Sequence, residues 1–208
     1  MGSFVTGSEH YAEVSSAVGN VFDVGARLPD QVFKRVAGDY LFCEFDIVLS
    51  PEIWPALTAM ARWHGDDRVE LLALDPSRDN FYVPDYGVHP AISLPVDTDS
   101  DGYWEAIGYE PGGDVMGSIA ISANVVAIVG PSGNWGCWGE RDAEVAVFSG
   151  FPSAAGRAEW RDRFGPFLEA PEALDSYLSM AFRGRTVPDE YAGRLTLNYG
   201  CRSDNSEK

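Results

Sequence analysis

Lysine is almost missing from this chain of 208 residues, whose 15 basic side chains are 13 arginines plus only Lys34 and Lys208. A phosphate loop of the form G-x-x-x-x-G-K-[ST] needs a lysine directly after its second glycine, and neither lysine stands there. The chain also lacks any run of about 18 apolar residues, so no membrane-spanning helix is expected. The opening MGSFVTGSEH has no basic region followed by an apolar run, and nothing in it marks the chain for secretion. Cysteine is sparse too. Cys43, Cys137 and Cys201 are odd in number and widely spaced, without C-x-x-C, which argues against a disulfide framework or a structural zinc site and for reduced thiols in a cytosol. His10, His64 and His89 form no H-x-x-x-H or H-E-x-x-H pair, so no metal and no cofactor are expected. Arginine in place of lysine, with abundant Ala, Gly and Asp, suggests a GC-rich bacterial coding sequence.

Acid is what the chain has in excess, with 32 Asp and Glu giving a formal charge of −17. Residues 61 to 110 hold 11 acids and 3 bases, so about a quarter of the chain carries nearly half the excess. Such a field repels nucleic acid and anionic membranes and draws in a basic protein. Acidity that serves only solubility is the plainer alternative.

The hydrophobic pattern predicts an α+β fold, a mainly antiparallel sheet with helices packed near the N- and C-terminal parts. Residues 10–201 are expected to form one domain, with frayed ends over 1–9 and 202–208. Helices are expected over roughly 10–18 and 29–37, the second started by Pro29 and stopped by Gly38, and over a third segment ending near Trp63 that buries Leu57, Met60 and Ala61. Tyr40 to Leu49 alternates, placing Leu41, Cys43, Phe45 and Ile47 inward and Glu44 and Asp46 outward, and 69–74 reads as a shorter strand. Proline-rich 75–96 suggests irregular chain with one edge strand. Segments 118–129 and 141–148 form the best hairpin, joined by GPSGNWGCWGE. Helices over 153–164, with Trp160 and Phe164 inward, and from Pro171 precede a last strand over 195–199.

Several stretches imitate catalytic or metal motifs. DTDSDG places Asp97, Asp99 and Asp101 as in the first half of an EF-hand, yet position 12 is Gly108 where the bidentate glutamate belongs. A weaker calcium loop and a turn whose Asp99 or Asp101 caps a helix over roughly 103–109 both remain open. Gly136-Cys137-Trp138 has the cysteine-beside-tryptophan pattern of papain-like proteases, but all three histidines lie upstream and a strand follows. Ser132 in GPSGN lacks the second glycine of G-x-S-x-G. No catalytic residue is assigned.

Strand parity supplies a different clue. Ala143, Val145 and Val147 share one face, which puts Trp138, Glu140, Asp142 and Glu144 together on the other if no bulge intervenes. An aromatic anchor ringed by acids would suit a basic partner, with tryptophan supplying burial and the carboxylates steering. The competing expectation is that helices cover this face and Trp135 and Trp138 belong to a second core layer. Arg141 falls on the core side and needs a carboxylate or carbonyl contact.

The segment WGCWGERDAEVAVF, with the acidic character of the chain, resembles immunity proteins of bacterial toxin systems. That resemblance covers about residues 130–148 and implies a non-enzymatic inhibitor that blocks a toxin; the acidity adds that the partner is basic and that nucleic acid and membranes are not partners, and the cysteine usage a cytoplasmic location. The resemblance carries over no binding residues; strand parity and the acidity of the middle of the chain make Trp138, Glu140, Asp142, Glu144, Asp97, Asp99 and Asp101 the expected partner-binding residues, with the oligomeric state left open. The alternative is an enzyme whose site gathers two or more of His64, His89 and the 97–101 aspartates.

Overall fold

The computed structural model describes residues 4, 5, 7–35 and 39–200. Helix α1 (Ser8–Val21) buries Val14, Val18 and Val21, spaced four and three apart as one helical stripe. Strand β1 (Leu41–Glu44) leads into the short α2 (Phe45–Val48), and a 3₁₀ turn opens α3 (Trp54–Trp63). Strand β2 (Arg68–Asp75), a π-helical turn over Arg78–Tyr86 and strand β3 (Ala91–Pro95) follow. Helix α4 (Ser100–Ile107), two 3₁₀ turns and α5 (Ile119–Ser122) lead to β4 (Val125–Val129), β5 (Gly136–Glu140) and β6 (Val145–Ser149). Helices α6 (Ala154–Phe164), α7 (Ala170–Asp175), α8 (Tyr177–Met180) and α9 (Asp189–Tyr199) complete the described chain.

The strands form one six-stranded antiparallel sheet in the order β1-β6-β5-β4-β2-β3, so the fold is α+β as the hydrophobic pattern predicts. Helices cover both of its faces. On one side Leu41, Cys43, Ile128, Cys137 and Phe148 pack with α3, α4 and Trp160 of α6. On the other, Phe42, Ala127, Trp138 and Val147 pack with α1, α7 and α9. Every position of β4, β5 and β6 is therefore buried. Among the described residues no helix is long and apolar enough to cross a membrane.

Four expectations give way to tertiary context. Strand β5 emerges from the segment expected to be a connection, and it lies between β4 and β6. Glycines hid it: a Cβ on Gly136 would come within 2.6 Å of the Phe22 ring, and one on Gly139 within 3.0 Å of Phe45, so strand propensity is traded for close ring packing. The helix expected over 29–37 is absent over 29–35. There Phe33 bridges Phe22, and Val32 and Phe33 bury their side chains in extended chain, while 36–38 lie outside the described residues. The alternation of 40–49 extends as strand only to Glu44, beyond which Phe45 starts a helical turn. The last segment is helical, because Leu195 and Tyr199 stand four apart and bury one helix face as well as they would end a strand.

At the N-terminus Phe4 and Val5 are buried, and the Val5 amide donates to the Ala91 carbonyl on the edge strand β3. Within the segment 1–9 where fraying is expected, Ser8 and Glu9 already belong to α1, and residues 1–3, 6 and 201–208 lie outside the described residues.

Candidate functional site

Trp138 and Glu140 are not on a surface. Trp138 is fully buried opposite Val147, its direct partner on β6, so the two share a face rather than opposing each other. Parity is reset because Arg141 to Glu144 form a turn between two strands instead of continuing one. Glu140 is also buried, and its Oε1 accepts from the Trp138 indole N–H at 2.7 Å and from the Leu28 amide at 2.8 Å. Burial pushes its carboxyl above the usual range, although those two donors and the nearby Arg27 guanidinium pull it down. This pair stabilises the layer beneath α1 and α9. Asp142 and Glu144 do reach solvent from the turn.

Arg141 finds the carbonyls its position demands, donating through Nε to Ala123 O at 3.0 Å and through Nη2 to Ala120 O at 3.2 Å. Its Nη1 lies 3.6 Å from Asp46. These contacts pin the turn that carries Asp142 and Glu144 against α5.

Asp97, Asp99 and Asp101 are all exposed. Asp99 is the N-cap of α4, accepting from the Gly102 amide at 2.8 Å, and Asp101 stands in the first turn, where a carboxylate complements the helix dipole. Among the described residues no group of three or more His, Cys, Asp or Glu side chains could hold a metal ion.

The two histidines of the enzyme alternative lie apart. His64 Nε2 meets the Gly150 carbonyl at 2.7 Å, near the start of β2, whereas His89 precedes β3 at the opposite end of the antiparallel β2–β3 pair. His89 Nδ1 accepts from Arg78 Nε at 2.8 Å, so its remaining hydrogen sits on Nε2, facing Ser8 Oγ at 3.4 Å. An imidazole arranged this way cannot take a proton from that hydroxyl. Cys137 is wholly buried, and burial drives its thiol pKa well up, which removes the thiolate a nucleophile needs. Ser132 donates to Asp66 Oδ2 at 2.8 Å, and the same oxygen accepts from the Trp135 indole at 2.9 Å, so this hydroxyl anchors the 130–135 loop.

The exposed apolar surface is where the structure adds a site that strand parity missed. Among the described residues ten large apolar side chains are exposed, and Trp104, Tyr109, Val115, Met116 and Ile121 are five of them, all between positions 104 and 121. Helix α4 buries Tyr103, Ala106 and Ile107 and turns Asp101, Trp104 and Glu105 outward on its other face. Trp104 is 48% exposed and Ile121 51%. Together with Val115 and Ala120 they line an open groove of about 490 Å³ between α4 and α5, and Glu105 and Glu110 stand among its lining residues.

The sequence interval that builds this groove carries charge of one sign, and the one guanidinium that reaches its lining comes from outside that interval, Arg141 at the Ala120 carbonyl. No lysine or arginine occurs between Arg78 and Arg141, while that interval holds nine acids, Asp97, Asp99, Asp101, Glu105, Glu110 and Asp114 among them. Among the described residues none of Asp97, Asp101, Glu105 and Glu110 forms an ion pair. A cue in the sequence was available: Asp101, Trp104 and Glu105 stand at i, i+3 and i+4, the spacing of one helix face. No family model matches the chain, and no curated protein or solved structure matches it.

Proposed function

We propose that this chain is a binding protein that docks a basic protein on the groove between α4 and α5, and that the partner is a toxin which the chain blocks as an immunity-type inhibitor. The observation that carries the docking half is Trp104, half-exposed in a groove it shares with carboxylates that form no ion pair among the described residues, in a stretch of sequence without any base. Contiguous exposed apolar surface rimmed by polar groups marks interaction sites, and a central tryptophan is the side chain most often found to dominate such interfaces. A second copy of this chain is a poor occupant, because each copy bears −17 and would set acidic rim against acidic rim.

The toxin half rests on the resemblance of 130–148 to immunity proteins. Those residues build β5, β6 and their turn, so the likeness concerns the sheet core rather than the groove.

Expression of the products of neighbouring genes, one at a time, in a bacterial host tests the reading. One product should arrest growth, co-expression of the wild-type chain should restore it, and the double variant Trp104→Asp, Ile121→Asp should fail to do so. If no neighbouring product is toxic, or if the double variant protects as well as wild type, the reading is lost.

A further inference from the structure

The partner's anchoring side chain can be argued from how this chain places its own arginines. In three places a guanidinium lies over an aromatic ring with a carboxylate close by. Arg27 stands over Trp138 at 5.7 Å with Glu140 bonded to that indole, and Arg78 over Tyr11 at 5.0 Å while bonding Asp79. Arg141 stands over Phe45 at 4.9 Å and 3.6 Å from Asp46. Trp104 shares its groove with Glu105 and Glu110, and among the described residues no arginine of the chain stands over its ring.

From this recurrence we infer that the groove is an arginine receptor, taking a guanidinium from the partner between the Trp104 ring and the carboxylates of Glu105 and Glu110. The inference rests on the docking proposed above. A guanidinium suits this place better than an ammonium. It is planar, so it stacks on the indole, its fork of donors can serve two carboxylates, and it is more weakly hydrated. Val115, Ala120 and Ile121 line the groove around it and lower the water content around the ion pair.

The test uses acetylated and amidated triarginine, trilysine and tricitrulline peptides against the full-length, ¹⁵N-labelled chain, observed at the indole N–H resonances of its six tryptophans. Trp104 is assigned with Trp104→Phe. Triarginine should move the Trp104 resonance and bind about fivefold more tightly than trilysine, and tricitrulline should do nothing. Glu105→Gln with Glu110→Gln should bring triarginine down to the trilysine level while the thermal midpoint stays unchanged.

Equal affinity for triarginine and trilysine at Trp104 would overturn the arginine preference and leave the docking surface standing. If neither peptide moves Trp104, the docking reading falls with it. Movement of the same resonance on raising the protein concentration without peptide would identify a second copy as the occupant and overturn the inference.

Discussion

The Trp138 indole N–H donates to Glu140 Oε1 at 2.7 Å, two residues along β5, and the same oxygen accepts the Leu28 amide at 2.8 Å. Removing the carboxylate orphans two buried donors. Glu140→Ala should therefore destabilise the fold by about 3 kcal/mol, whereas Glu140→Gln, which keeps an oxygen acceptor, should stay within about 1 kcal/mol of wild type. Denaturant unfolding at neutral pH measures both.

The same carboxyl makes a pH prediction. Burial raises its folded pKa above that of a free glutamate, so the folded state holds this proton more tightly than the unfolded state. Its favourable contribution is full below the unfolded pKa and is lost as pH rises through the folded one. Unfolding curves taken at increasing pH should show wild type losing stability relative to Glu140→Gln. A difference independent of pH would contradict the assignment.

Asp66 holds a loop in the same manner. Its carboxylate accepts the Ser132 amide at 2.7 Å, the Ser132 hydroxyl at 2.8 Å and the Trp135 indole at 2.9 Å. Asp66→Ala should destabilise by about 3 kcal/mol and speed hydrogen exchange at the Trp135 indole. Exchange at wild-type rates would show that the loop is held by packing alone.

The aspartates at 97 to 101 should behave as a cap and not as a metal site. Asp99→Ala should lower stability by about 1 kcal/mol through loss of the N-cap of α4. Saturating calcium should leave the wild-type thermal midpoint where it is, since a ligand bound only to the folded state would raise it.

What could be read from the sequence followed periodicity and caps. Helix α1, α3, the edge strand within 75–96 and α6 with its inward Trp160 all came from local pattern, and Asp99 was among the two capping candidates. Trp138 and Glu140 were misplaced for a definite reason. Alternation separates faces only where one face meets water, and here helices cover both, so β4, β5 and β6 are buried at every position and parity carries no inside-outside signal. The idea of a tryptophan ringed by acids applies instead to Trp104, whose exposure is fixed by how α4 rolls onto α3 and the sheet. That rotation depends on Tyr103, whose ring stacks on Trp54 at 5.0 Å and whose hydroxyl donates to the Val48 carbonyl at 2.7 Å. Both contacts join residues about 50 positions apart, beyond the reach of local pattern.

A contrast between two tryptophans separates core from surface. Trp138→Ala should cost about 4 kcal/mol of stability, and Trp104→Ala less than about 0.5 kcal/mol, because the first ring is wholly buried and the second half-exposed. Equal losses in the two variants would mean that Trp104 is structural.

The most direct test of the proposed docking is the affinity of a basic partner identified by the co-expression experiment for wild type and for Trp104→Ala, Ile121→Asp, measured at about 50 mM and about 500 mM salt. The wild-type complex should weaken steeply with salt, and the double variant, folded as before, should lose at least about 2 kcal/mol of binding at both concentrations. A complex whose affinity is unchanged by salt and by both substitutions would contradict docking of a basic partner at this groove.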